Sequence, residues 1–133
     1  MNTISIEIPS LVENIRIVES FIDNAKEKYQ LDDDLYGNIM IAVIESVNNA
    51  IIHGNQLVKE KFVQLSMILE ENSVSFLIKD QGKGFIINDL PDPTAPENLT
   101  KTGGRGIFLM KHLADEVTFN NDGQEVKLTF YLN

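Results

Sequence analysis

Ile4, Ile6 and Ile8 alternate with Ser5 and Glu7 after Thr3. That period of two predicts a half-buried strand over 3–8, stopped by Pro9. The rhythm then changes. Leu11, Ile15, Val18, Phe21 or Ile22, Ala25 and Tyr29 recur at spacings of three and four, which leaves Glu13, Arg16, Glu19, Asp23, Lys26 and Lys28 for water. This predicts an amphipathic helix, with Ser10 as its N-cap and Glu13 completing a capping box. Asp32, Asp33 and Asp34 suit the positive end of a second helix, predicted to run to about His53 with Gly54 as C-cap. Alternation returns at 62–69 and 74–78, joined as a hairpin by Glu70, Glu71, Asn72 and Ser73. A short helix is expected from about Gly104 to Ala114. Strands at 117–119 and 126–132 then flank Asn121, Asp122 and Gly123, a hairpin turn. The expected fold class is α/β of the α+β kind: a two-layer sandwich whose mixed, mostly antiparallel sheet is covered on one face by helices.

The second helix carries more than a core stripe. Tyr36, Met40, Val43, Val47, Ala50 and Ile51 fall on one side and read as core. The other side holds Asn38, Glu45, Asn48, Asn49 and His53 among Ile41, Ala42 and Ile52, where a solvated face would hold Lys and Glu. Glu45 and Asn49 are one turn apart, ~6 Å between Cα atoms, and project in nearly the same direction. Such a pair can activate a proton-bearing nucleophile and hold a hard cation through oxygen. The alternative is that the two side chains bond each other or nearby backbone.

Residues 80–106 hold five of the eight glycines and three of the four prolines. Asp80 ends a predicted strand and is followed by Gly82, Gly84 and Phe85. Glycines at alternate positions serve a close approach to the backbone or a positive φ. The Asp80 carboxylate can accept a hydrogen bond from an exocyclic amine, the alternative being a plain glycine turn. Thr102, Gly103, Gly104, Arg105, Gly106 and Ile107 open the short helix, where bare amides and a cation can receive an anion. Neither a Walker pattern nor a dinucleotide fingerprint is present. The intervening 86–102, with Pro91, Pro93 and Pro96, is long for a loop in a compact domain and reads as a lid.

Composition narrows the field. With 133 residues the chain is expected to be one domain, 1–133. Hydrophobic residues at 43% and charged ones at 23% exclude wholesale disorder, and the lack of cysteine excludes thiolate metal sites and Cys nucleophiles. A formal net charge of -9 argues against direct nucleic-acid binding. A single nucleotide needs only local cations and amides, and Lys83, Lys101 and Arg105 lie in the glycine-rich region. No apolar run approaches ~20 residues and no basic segment precedes an apolar stretch at the start, so a cytoplasmic protein without membrane association is expected.

Taken in order, Glu45-Ser-Val-Asn-Asn49-Ala50, Asp80-Gln-Gly82-Lys-Gly84-Phe85 and Gly104-Arg-Gly106 resemble the motifs of the histidine-kinase-like (GHKL) ATPases. The likeness covers most of the chain. Within that superfamily, the runs NAIIHG and GGRGIFLMKHLADEV are similar to the anti-sigma factor serine kinases, bacterial proteins that bind a sigma factor and phosphorylate a serine on a small anti-anti-sigma (STAS-type) protein.

The resemblance implies a Bergerat-type fold with an ATP lid at about 86–103, and ATP and Mg2+ as cofactors. It implies Asn49 as the Mg2+-coordinating residue, Glu45 as general base, and Asp80 as reader of the adenine amino group. Gly82, Gly84 and Phe85 would surround the base. Lys101, Gly103, Gly104, Arg105, Gly106 and Ile107 would lie at the phosphates, and Thr129 would support the adenine pocket. The implied partners are a sigma factor, an anti-anti-sigma protein and ATP or ADP, and relatives commonly form homodimers. Asn55 departs from the pattern, since relatives often carry an aromatic residue there. The lid is also proline-rich and longer than in sporulation-type members. Two other readings stand beside this one: a nucleotide-binding regulatory module without kinase activity, and a detached histidine-kinase catalytic domain.

Overall fold

The computed structural model describes residues 2–82, 104–120 and 124–132. Strand β1 (Asn2–Pro9) leads through a short 3-10 turn, Val12–Asn14, into helix α1 (Ile15–Tyr29). Helix α2 (Asp33–Asn49) continues directly into a turn of π-helix, Ala50–Gly54. Strands β2 (Phe62–Leu69) and β3 (Ser73–Lys79), helix α3 (Gly104–Leu113), and strands β4 (Glu116–Asn120) and β5 (Glu125–Tyr131) complete it. The predicted helices and strands are all present, most ends shifted by a residue or two; α1 starts at Ile15 rather than directly after Ser10, and the expected turn at 121–123 lies outside the described residues.

The five strands form one sheet in the order β1-β2-β3-β5-β4. Every pairing is antiparallel, so the mixed sheet expected from sequence is purely antiparallel among the described residues. Alternation decides its two faces. Ile4, Ile6 and Ile8 of β1 stand opposite Met67, Leu65 and Val63 of β2, and with Val74, Phe76, Ile78, Val126, Leu128 and Phe130 they form the face beneath the helices. Phe76 and Phe130 meet edge to face, ring centroids 6.2 Å apart. The other face is mostly polar, with Ser5 bonded to Ser66 (2.8 Å) and Ser75 to Thr129 (3.1 Å) across strands.

Helix α2 is the middle of the helical layer, packed between α1 and α3 above β3 and β5. Ile39, Ala42, Val43, Ser46 and Val47 are all buried. With its π turn it is long and apolar enough to cross a membrane, a property the sequence pattern did not suggest, but it is shared by the core helix of a folded domain and this helix packs as one. The three aspartates stand at its positive end as expected, and Asp32 also caps it, its carboxylate accepting the Leu35 N–H at 2.8 Å.

Two local expectations fail. Ser10 is not a helix cap: it is fully buried, and its hydroxyl donates to Lys61 C=O (2.6 Å) and accepts from Asn55 Nδ2 (2.7 Å). With those tertiary partners taken, α1 begins through the 3-10 turn with no side-chain cap. Nor does Gly54 supply a left-handed cap. Gln56 (φ 54°) and Leu57 (φ 61°) take that conformation, and Leu57 N–H closes back on Ile51 C=O at 2.9 Å.

Candidate active site

Glu45 and Asn49 lie on the last regular turns of α2, on the side facing α3. The start of α3 comes down onto them. A methyl group placed on Gly106 would lie 3.0 Å from Asn49 Nδ2, 3.4 Å from Asn49 Oδ1 and 3.3 Å from Glu45 Oε2. Glycine at 106 is therefore what allows the helix start to sit against a carboxylate and a carboxamide together. Asn49 is only 8% exposed and Glu45 is half-buried. The two side chains do not bond each other, and among the described residues neither has a hydrogen-bond partner. On the same turns the Ser46 hydroxyl and the Asn48 carboxamide oxygen are buried with no partner among the described residues. Polar groups left unbonded in a buried place cost stability, so such a cluster suits an incoming polar ligand.

A second cluster forms about five residues further along the same helix, a rise of ~7 Å. Gly54 packs against Asp80, just past the end of β3, so closely that a methyl on Gly54 would come 2.3 Å from Asp80 Oδ2. Gly82 sits against the backbone of Gly54, where an added methyl would lie 1.6 Å from its carbonyl oxygen. Gly82 thus permits close approach of two backbones, the first of the two uses that the sequence left open, and Gly54 makes room for the Asp80 carboxylate. Asp80 Oδ1 accepts the Gly82 N–H at 2.9 Å, an Asx turn. Its own N–H donates to Gln124 C=O (2.9 Å), and Gln124 Nε2 donates to Gly82 C=O.

Burial raises the Asp80 carboxyl above its ordinary value, partly offset by the Gly82 N–H and the Lys61 charge. Desolvation of the charged form is the dominant cause. The turn is fastened further by Asn55 Oδ1 accepting the Gln81 N–H (2.7 Å) and Gln81 Oε1 accepting the Phe62 N–H (2.5 Å).

Of the residues picked from sequence, Glu45, Asn49 and Gly106 come together on the last regular turns of α2, and the neighbouring Ile107 is buried. Asp80 and Gly82 meet about five residues further on, at Gly54 on the end of the π turn. Gly104 is the first residue of α3, followed by Arg105. Gly84, Phe85, Lys101 and Gly103, like the lid at 86–103, lie outside the described residues. Thr129 is the exception. Val126, Leu128 and Phe130 point to the helices, so Thr129 stands on the opposite face of the sheet, bonded to Ser75, and cannot support a pocket between sheet and helices. Sequence reading missed Gln81 and Gln124, which carry no pattern of their own, and it noted Asn55 only as a departure. His53 is exposed and His112 stacks on Phe108, so neither joins the cluster.

Comparison with known proteins gives this arrangement a family. Residues 8–130 match the family described as histidine kinase-like ATPase domain. The anti-sigma F factor of Bacillus cereus is 34% identical, over 99% of this chain and 94% of its own length. The serine-protein kinase RsbW of Bacillus licheniformis is 29% identical, over 98% of this chain and 86% of its own. A solved structure of RsbU and RsbW domains from Mycobacterium tuberculosis superposes with a TM-score of 0.68 at 15% identity, covering all of this chain and 32% of that one, and so supports the fold. The chain belongs to the histidine kinase-like ATPases, in the group of anti-sigma F factors and RsbW-type serine kinases.

Proposed function

We propose that this protein binds ATP and Mg2+ between α2 and α3, binds a sigma factor, and phosphorylates a serine on a small anti-anti-sigma protein in the cytoplasm. The observation that carries this reading is the convergence of unbonded Glu45 and Asn49 side chains on Gly106 at the start of α3. A carboxylate and a hard amide oxygen beside a helix start are the groups phosphoryl transfer needs. The donor set fits Mg2+, which takes few protein oxygens and completes its shell from phosphates and water. Among the described residues no group of three His, Cys, Asp or Glu could hold a metal on its own, so Asn49 would hold the ion together with the nucleotide. When bound, Mg2+ neutralises charge on the β- and γ-phosphates.

The chain's own residues would do the rest. Asp80 accepts a hydrogen bond from the adenine amino group, Gly82 keeps its turn seated on Gly54, and Gly84 and Phe85 would complete the base site. Amides of Gly103, Gly104 and Gly106, with Arg105 and Lys101, hold the β- and γ-phosphates. Glu45 accepts the proton of the incoming serine hydroxyl. The serine oxygen then bonds to the γ-phosphorus as the bond to the β,γ-bridging oxygen breaks, and ADP leaves with that electron pair.

The test is incubation with γ-labelled ATP and an anti-anti-sigma protein. Label is expected on a serine of the partner, and Glu45→Ala should abolish it while nucleotide still binds. Binding of ATP without any transfer by the unaltered chain would leave a regulatory nucleotide-binding module instead.

A further inference from the structure

Asn55 is fully buried just past the π turn, and its carboxamide is spent on three separate parts of the chain. Nδ2 donates to Ser10 Oγ at 2.7 Å, at the end of β1, and to Phe62 C=O at 3.1 Å, at the start of β2. Oδ1 accepts the Gln81 N–H at 2.7 Å. Partner chemistry fixes the orientation of the amide, because a peptide N–H only donates and a carbonyl only accepts. An aromatic or aliphatic side chain here could serve none of the three.

The Gln81 N–H belongs to the peptide plane that leaves Asp80. Holding it sets the backbone from which Gly82 N–H reaches back to Asp80 Oδ1 at 2.9 Å. The residues after Asn55 add weight. Gln56 and Leu57 are consecutive non-glycine residues in the left-handed region, a costly conformation that persists only where its surroundings enforce it. A buried, fully bonded amide immediately before them provides that enforcement.

We infer that Asn55 is a positioning residue for base recognition: through Gln81 it holds the Asp80 carboxylate at the angle required to accept the exocyclic amine of a 6-aminopurine nucleotide. The inference rests on the proposed role of Asp80 and adds a determinant of base specificity that touches no part of the ligand. Its removal should therefore erase discrimination between bases while leaving phosphate-derived affinity in place.

The experiment compares ATP with purine riboside 5′-triphosphate, which lacks the 6-amino group, by competition against a fluorescent nucleotide on the full chain. Wild type should prefer ATP roughly tenfold or more, the value of one hydrogen bond to a charged acceptor. In Asn55→Leu the ATP affinity should fall to within about twofold of the analogue's, whose own affinity stays put, because only the amine contact is lost. Asn55→Asp keeps an acceptor for the Gln81 N–H and should retain the preference.

A wild-type preference that survives Asn55→Leu unchanged overturns the inference alone. Equal wild-type affinity for the two nucleotides removes the base-reading role of Asp80, and the inference with it. If Asn55→Leu does not fold, loss of the preference in Asn55→Asp overturns the inference and its retention upholds it. Amide exchange in the nucleotide-free wild type adds a separate reading: the Gln81 N–H should be protected on the order of 100-fold or more, and free exchange would show that the bond does not hold the turn.

Discussion

At the Gly54 end of α2 the polar atoms are bonded within the chain, whereas at the Glu45–Asn49 turn, less than two helical turns away, they are left open. Asp80 is held by Gly82 and Gln124, and its turn by Asn55 and Gln81. Glu45 and Asn49 have no such partners among the described residues. A rigid, prebuilt contact suits a flat base whose hydrogen-bonding edge never changes. Open donors and acceptors suit phosphates, a cation and a hydroxyl that must exchange in every cycle. Under the proposed function, the difference would let one helix carry fixed recognition and variable chemistry, because its last turns are supported differently.

That contrast can be broken by mutation. At the open end Glu45→Ala should cost turnover by ~100–10,000-fold in phosphoryl-transfer assays, with ADP affinity and thermal midpoint near wild type. Gly82→Ala should cost ~2–4 kcal/mol in urea unfolding, because its methyl would collide with the Gly54 carbonyl oxygen. Asn49→Ala should lower Mg-ADP affinity on the order of 100-fold by calorimetry without a matching loss of stability. Equal stability losses from Glu45→Ala, Asn49→Ala and Gly82→Ala would erase the distinction between the two ends.

The smallest effects come from Asp80 itself. Burial makes the ionised carboxyl the disfavoured form in the folded chain, so the folded state takes up a proton at a pH where the unfolded carboxyl, at 3.8, has already lost it. Stability from this group therefore falls as pH rises from 3.8 through the raised folded value, and at neutral pH its ionisation is a net cost. Asp80→Asn should raise the thermal midpoint of the nucleotide-free protein by ~1–3 °C while weakening ATP binding. In the unaltered chain ATP affinity should decline on acidification from above the usual carboxylate range, and Asp80→Asn should flatten that decline.

Much of this was legible in the sequence, for physical reasons. Isoleucine alternation in β1 and the three-and-four spacing in α1 report burial directly, and burial is what the elements are made of. Glu45 and Asn49 were visible because asparagine among isoleucine and alanine is an expense no solvated face requires. Ser10 misled because a serine three residues before a glutamate reads as a local cap, while Lys61 and Asn55, distant in sequence, claim it first. Gly54 misled in the same way: a glycine after a helix suggests a left-handed residue, but a neighbouring carboxylate was the actual demand. Thr129 could have been read correctly. The same alternation that buries Leu128 and Phe130 sends Thr129 to the far face.

The π turn at Ala50–Gly54 has a further consequence, for which changes of length the chain can absorb. A π turn already holds one residue more than an α-helical stretch of the same rotation, so adding another there would rotate everything beyond it by roughly 100°. Gly54 would swing away from Asp80, and Asn55 from Ser10, however well the remaining residues were preserved. The turn at 70–72, between two strands and exposed, carries no comparable phase. Insertions should therefore be tolerated in that hairpin and purged from the five residues of the π turn, even though side chains such as His53 could vary freely there.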